Sequence, residues 1–203
     1  GFMVGPLLGT VFLEGLDITY RILFQITAFI LATAIVTSLL VSRKRVRNHH
    51  ERFSFSSIKE MKRFPEVIIL LIFCTSSFGI ILSIYPAFLN DNGMDDTAIL
   101  MLYFVFGISR VASLALAGKF ARKTSQTLIA ATMAVSAGLA LSVVADSIIT
   151  FGIALVLMGF GFSIFFPLTL EIILSKTKKG ISGKIIGAYE TVFGIGWAIG
   201  PTI

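Results

Sequence analysis

Long apolar runs constrain the fold of this chain more than any other feature of its sequence. Seven segments are apolar along nearly their whole length. They cover roughly residues 1–13, 20–42, 65–89, 97–118, 127–145, 148–174 and 183–203. A helix crosses the hydrocarbon core of a bilayer with about 20 apolar residues, so most of these runs are long enough to span it. None alternates between polar and apolar residues, as the strands of a membrane barrel would.

Composition excludes most classes of soluble protein. The 203 residues are 56% hydrophobic and 14% charged, and they include 19 Phe. A soluble domain has about a quarter of its residues charged. We therefore predict an all-α polytopic membrane protein, a bundle of about seven transmembrane helices, with the lipid bilayer as a partner and no nucleic-acid partner.

Intramembrane catalysis lacks the residues that it needs. Such chemistry requires a nucleophile with a base, a pair of aspartates or a metal cluster at membrane depth. The two histidines, His49 and His50, lie outside the apolar runs, and no run contains a pair of aspartates. The sequence predicts a protein that is not an enzyme and that holds neither a metal nor a cofactor.

The loops between the runs alternate in charge. Fifteen of the 17 Lys and Arg residues lie in three loops, at 43–63, 118–126 and 175–184. The intervening loops carry acidic residues such as Asp91 and Asp146. Because basic loops of membrane proteins stay on the cytoplasmic side, the three basic loops are predicted to be cytoplasmic. The chain is thus expected to be a multi-pass protein of the cell membrane.

The segment 43–64 is the longest connection. Phe55, Ile58 and Met61 follow near-helical spacing, with basic residues between them. This pattern predicts a short amphipathic helix at the cytoplasmic surface of the membrane, with its basic side chains toward anionic lipid headgroups. A solvated basic linker is the alternative.

A short motif occurs twice. Residues 1–6 and 196–201 both contain a glycine, an aromatic residue, two apolar residues and Gly-Pro. Small residues four positions apart let helices approach closely, and proline bends a helix. Because the repeat period contains six predicted crossings, it indicates two six-helix halves in parallel orientation.

With these motifs the chain resembles the major facilitator superfamily, whose transporters have two six-helix halves joined by a long cytoplasmic loop. The family's fifth helix carries Gly-x8-Gly-x3-Gly-Pro-x2-Gly-Gly, and its eleventh helix often carries a related pattern. The matching residues here are Gly1, Gly5, Pro6 and Gly9 for the fifth helix, and Gly187, Gly196, Gly200 and Pro201 for the eleventh. The resemblance implies that they pack helices at the interface between the halves.

The resemblance also divides the chain into parts. Residues 1–42 would be helices five and six, at the end of the N-terminal half. Residues 43–64 would be the central loop, and residues 65–203 would be helices seven to eleven. Four preceding helices of the same chain and a twelfth helix are then expected outside these residues.

Two further family patterns point to a cytoplasmic gate. The family often has Gly-x-x-x-Asp-Arg after its eighth helix; here Gly118 is followed by Arg122 at the Asp position and by Lys123. Many members carry a Glu seven residues before an Arg after the tenth helix, and here Glu171 precedes Lys178 by seven. A salt bridge of Glu171 with Lys178, or with the loop of Arg122 and Lys123, would latch the inward-closed state. Contact of Glu171 with the substrate is the alternative.

Two charged residues lie within the apolar runs. Arg110 is eight residues before Gly118, or about 12 Å deep, and Glu190 is six residues after Lys184, or about 9 Å deep. Charges at such depth are functional candidates by default. We predict that Arg110 and Glu190 pair or share a wet cavity; two unrelated residues bound to backbone or snorkelling are the alternative.

Four polar residues, three of them before a proline, are further candidates for the substrate pathway. They are Ser76 and Tyr85 before Pro86, Ser163 before Pro167, and Tyr189 beside Glu190. A helix broken by proline can line a cavity. The resemblance assigns helices seven and ten to gating and cavity lining, and lipid-facing kinks are the alternative.

The function predicted from these features is secondary active transport of a small solute by alternating access. The antiporter resemblance favours proton-coupled efflux, with Glu190 as the titrating carboxylate. A non-transporting membrane receptor or scaffold on the same fold is the alternative.

Overall fold

A computed structural model describes residues 4–16, 18–41, 62–120, 124–177 and 182–202, and all regular structure among them is helical. The helices are α1 Val4–Thr10, α2 Tyr20–Val41, α3 Pro65–Ser83, α4 Tyr85–Asp91, α5 Asp96–Phe120, α6 Thr124–Val144, α7 Ile148–Ser175 and α8 Ser182–Ile199. A π-helical turn, Val11–Gly15, continues α1, and a 3-10 turn, Gly200–Thr202, ends α8. The predicted amphipathic helix within 43–64 lies almost wholly outside the described residues.

Five of these helices, α2, α3, α5, α6 and α7, are long and apolar enough to cross a membrane. The first run is helical and apolar over the shorter stretch Val4–Leu13. Helix α8 has 18 residues and carries Lys184 and Glu190. The predicted all-α membrane fold is confirmed, while the number of seven spans stays a prediction.

The helix starts follow local capping chemistry. The N–H of Thr150 donates to Oγ of Ser147 over 3.3 Å, and the N–H of Ser147 donates to Oγ1 of Thr150 over 3.1 Å. This reciprocal pair is a capping box that begins α7. Asp95 accepts from the N–H of Ala98 over 2.7 Å at the start of α5. Pro65 occupies the first turn of α3, where no helical N–H is needed.

Helix α7 is the centre of the bundle. It packs against α5 on one side and α6 on the other, with smaller contacts to α3 and α8. Its side chains Phe151, Leu155, Met158 and Ile164 are fully buried. A second close pair joins α3 to α8, and α1 packs against α5. The core therefore lies among α3, α5, α6, α7 and α8.

The predicted break near Pro86 is confirmed. Helix α3 ends at Ser83 and α4 begins at Tyr85, because Pro86 has no N–H to bond the carbonyl of Leu82. The Tyr85 hydroxyl lies 2.6 Å from Oγ of Ser142 on α6. A hydrogen bond thus joins the region of the break to a neighbouring helix.

The break predicted at Pro167 is wrong. Helix α7 continues from Ile148 to Ser175 with Pro167 inside it. Proline removes one backbone donor, and membrane helices tolerate such a loss where neighbouring helices or side chains accommodate the freed backbone groups.

Tyr103 forms a second hydrogen bond near the break between α3 and α4, because its hydroxyl donates to the carbonyl of Ile81 on α3. Tyr103→Phe should lower the free energy of unfolding by about 0.5–1.5 kcal/mol, since the carbonyl loses its side-chain donor. Reversible unfolding in mixed micelles measures the change. Thr37→Val, which removes an exposed hydroxyl bonded within α2, should stay within about 0.5 kcal/mol of the unmodified chain; an equal loss in both variants would contradict the expectation.

Candidate functional site

A small cavity of about 60 Å³ lies among α3, α5, α7 and α8. Its lining consists of one cation, two small polar residues and five aromatic rings: Arg110, Cys74, Thr75, Phe78, Phe162, Phe165, Phe166 and Phe193. Arg110 is ten residues before the end of the 25-residue helix α5, or about 15 Å along its axis. The cavity is therefore near the middle of the bilayer.

The guanidinium of Arg110 is held from three directions. Its Nε donates to Oγ of Ser163 on α7 over 3.3 Å. Its Cζ lies 5.1 Å from the ring centroid of Phe78 on α3 and 5.7 Å from that of Phe106 on α5. Aromatic faces attract cations most strongly where water is excluded. Together these contacts keep a cation in an apolar environment.

Local sequence explains part of this arrangement. Phe106 is four residues before Arg110, so both lie on one face of α5. Ser163 is four residues before Pro167, so its carbonyl has no helical donor. Its side chain is buried and small, which leaves room for the arginine.

A chain of ring contacts extends from the cavity along α8. The Phe78 centroid lies 5.1 Å from that of Phe162, 6.5 Å from that of Phe193 and 6.2 Å from that of Trp197. Phe166 meets Phe193 edge to face at 5.6 Å. Trp197 is 44% exposed. The rings thus connect the cavity to the exposed surface of α8.

Phe162, Phe165 and Phe166, which surround Ser163 in the sequence, line the cavity, while a role of this segment in a substrate path stays a prediction. Phe78, Phe106 and Phe193 were not predicted. The spacing of Phe106 from Arg110 could have identified it. The other two contact the site from helices distant in sequence, and no local pattern indicates them.

Glu190 is exposed on α8 and is not among the residues that line the cavity. It precedes Phe193 by three residues and Trp197 by seven, so all three lie on one face of the helix. The carboxylate is therefore one turn from the cavity lining. Its pairing with Arg110 stays a prediction.

The other predicted pathway residues bond between helices. The Tyr189 hydroxyl lies 2.7 Å from Oγ1 of Thr169 on α7. Oγ of Ser76 donates to the carbonyl of Gly196 over 2.9 Å, and Tyr85 bonds Ser142 as described above. Contact with a solute stays a prediction for all three.

The second copy of the repeat packs tightly on α3. A Cβ added at Gly196 would overlap Oγ1 of Thr75, and one added at Gly200 would overlap the carbonyl of Ser76. Pro201 lies beside Gly79. These contacts are within the predicted C-terminal half, so packing between the halves, also predicted for Gly187, stays a prediction.

The first copy lies near α5. A Cβ at Gly9 would be 3.5 Å from Leu100, whereas a Cβ at Gly5 would meet nothing within 4 Å. Pro6 and both glycines line a larger, mostly apolar cavity of about 460 Å³, whose other lining residues come from the end of the first run and from α2, α4 and α5. Gly1 lies outside the described residues.

The predicted cytoplasmic gate is described only in part. Glu171 is exposed near the end of α7, and Gly118 is exposed near the end of α5. Arg122, Lys123 and Lys178 lie outside the described residues. The gate therefore stays a prediction.

These features define a class of protein, a polytopic helical membrane protein whose described residues hold a cationic, aromatic cavity near mid-membrane depth. A family model described as Major Facilitator Superfamily matches residues 1–201, so the chain belongs to the major facilitator superfamily. Searches among curated proteins and solved structures found no match. Family membership establishes a multi-pass membrane protein of a transporter family.

Proposed function

We propose that the chain carries a small solute across the membrane by alternating access, as a secondary active transporter, and that the Arg110 cavity is part of the solute path. The placement of this guanidinium is the observation that carries the proposal. A cation at the centre of a membrane helix costs about 3 kcal/mol. Ser163, Phe78 and Phe106 hold it there, and charges at membrane depth commonly mark substrate or ion pathways.

Proton coupling through Glu190 extends this proposal. The carboxylate is one helical turn from Phe193, which lines the cavity. When ionised it attracts the guanidinium of Arg110. When protonated it no longer does so, and the guanidinium is available to the solute. The glycine-proline motifs resemble those of antiporters. They favour efflux of the solute in exchange for protons that enter down an inward gradient.

Flux from proteoliposomes tests transport itself. The purified full chain is reconstituted, and the vesicles are loaded with benzenesulfonate, tetraethylammonium or xylose as anionic, cationic and neutral probes. We expect at least one probe to leave faster than from protein-free vesicles, and faster still with an acidic exterior. If folded protein moves none of the three, the receptor or scaffold alternative is favoured.

Glu190→Gln should abolish the acceleration of probe efflux by an acidic exterior, because the titrating group is lost. Exchange of the probe between two compartments of equal pH should remain measurable. The ratio of flux with and without the pH gradient is the readout. Glu66→Gln, at an exposed carboxylate in the first turn of α3, is the matched control and should keep the ratio. A Glu190→Gln protein with full gradient-driven flux would exclude Glu190 as the coupling residue.

A further inference from the structure

The cavity of about 460 Å³ lined by Gly5 and Gly9, called here the glycine-lined cavity, is a site of its own. It shares no lining residue with the Arg110 cavity. Asp96, on its lining, is 14 residues before Arg110 in α5, or about 21 Å along the helix axis. We propose that the glycine-lined cavity binds a single-chain ammonium amphiphile, a molecule with one cationic head and one alkyl chain. This inference goes beyond the proposed function, because the site lies apart from the Arg110 cavity.

Missing side chains on α1 create the space. Gly5 and Gly9 are four residues apart, so they lie on one face of the helix. A Cβ at Gly5 would meet nothing within 4 Å, and one at Gly9 would be 3.5 Å from Leu100. Pro86 and Ala87, just after the break between α3 and α4, also line the cavity. The broken helix and the glycine face of α1 therefore leave a gap that a ligand can fill.

Most of the lining suits an alkyl chain. Leu13, Leu23, Ile99 and Leu100 present hydrocarbon to the cavity, and hydrocarbon contacts need no hydrogen bonds. Lipid tails are as apolar as leucine, so an alkyl chain gains little by leaving the bilayer for such walls. The chain therefore sets the shape of the ligand, and its head group has to supply the selectivity.

The volume limits the ligand to one chain. A water molecule occupies about 30 Å³ in the liquid, so about 460 Å³ has room for roughly 15 non-hydrogen atoms. An ammonium group with a chain of about ten carbons fits within this number. A phospholipid with two long chains exceeds it severalfold. The cavity is therefore matched to a single-chain amphiphile.

The charge at one end of the cavity selects a cation. Asn90 and Asp96 are polar lining residues at this end, and the connections 14–21 and 91–96 adjoin it, since Leu13 and Leu23 flank the first of them. These connections contain five carboxylates and one guanidinium, those of Glu14, Asp17, Asp91, Asp95, Asp96 and Arg21. Their net charge is −4 whichever of these groups pair with one another. A rim of one charge sign attracts counter-ions and repels ions of its own sign. An ammonium head can also donate to the amide oxygen of Asn90.

Equilibrium binding of decylammonium to the full chain in phosphatidylcholine nanodiscs tests the inference, and protein-free nanodiscs correct for partition into lipid. Decylammonium is cationic at neutral pH, because amines of this kind titrate near about pH 10. Decanol and decanesulfonate carry the same chain without charge or with a negative charge. We expect decylammonium to bind saturably, at least about tenfold more tightly than decanol, and more weakly as salt is added. Equal affinity for the three compounds, or no saturable binding, would overturn the inference.

A filling variant locates the alkyl chain. Gly5→Leu places a side chain in the cavity at a position where a Cβ meets nothing, and it should weaken decylammonium at least about fivefold. Gly194→Leu adds the same side chain at another open glycine, on α8 and outside the cavity lining. It should leave the affinity within about twofold. Equal affinities of the two variants for decylammonium would contradict the proposed place of the chain.

A charge variant tests the head group. Asp96→Asn should weaken decylammonium about threefold and leave decanol unchanged, because one of the five carboxylates is lost. Asp146→Asn, at an exposed carboxylate between α6 and α7, should keep both affinities. Each variant must elute as a single species, and the salt dependence of the unmodified chain serves if Asp96→Asn does not fold. Decylammonium binding that ignores both salt and Asp96→Asn would overturn the inference.

Binding and flux distinguish this inference from the proposed function. If decylammonium binds with the expected selectivity while none of the three transport probes crosses the membrane, the inference stands and the transport proposal fails. If a probe is transported while decylammonium shows no saturable binding, transport stands and the inference fails.

Discussion

Arg110→Gln should lower the initial rate of solute flux, at low solute concentration, by at least about thirtyfold. Removing one partner of a desolvated charged contact costs about 2–5 kcal/mol, and about 2 kcal/mol corresponds to that factor. The measurement uses whichever of the three probes the unmodified chain moves fastest. Arg110→Lys should retain an intermediate rate, since it preserves the charge but not the planar guanidinium.

Lys119→Gln is the control for this change. Lys119 is an exposed cation in the last turn of the same helix, away from the cavity lining. Its loss should leave the flux rate within about twofold, because exposed charges contribute little. Equal rates for Arg110→Gln and Lys119→Gln would contradict a role of Arg110 in the solute path.

Gly200→Ala should destabilise the protein clearly. The new Cβ would overlap the backbone carbonyl of Ser76, which cannot rotate away as a side chain could. Overpacking of this kind costs about 1–3 kcal/mol. For a chain of this size we expect the melting temperature in detergent to fall by about 3–10 °C.

Gly194→Ala provides the matched comparison on α8. A Cβ at Gly194 would meet nothing within 4 Å, and alanine favours helix over glycine by about 1 kcal/mol. Its melting temperature should therefore be unchanged or slightly higher. If both alanine variants lose stability equally, close packing of α8 on α3 is not the reason.

Much of the fold follows from local signals in the sequence. The apolar runs 65–89 and 148–174 correspond closely to α3 with α4 and to α7. Pro86 predicted the break at Ile84, because a missing N–H acts within one helix. Pro167 has the same chemistry, yet α7 is continuous across it, and no local pattern distinguishes the two prolines.

The sequence identified Arg110 and Ser163 as separate candidates but did not predict the contact between them. Arg110 is identified by being a cation in an apolar run. Its partners Phe78 and Ser163 come from α3 and α7, 32 and 53 positions away along the chain. Which residues meet across such distances depends on helix crossing angles and rotations, so composition and spacing could not show that these residues contact Arg110.

The depth of Arg110 also makes the cavity sensitive to membrane voltage. Moving one elementary charge across the whole bilayer changes the free energy by about 2.3 kcal/mol per 100 mV. A cation near the middle experiences about half of that potential drop. A resting potential would therefore act on any motion that carries this side chain along the membrane normal.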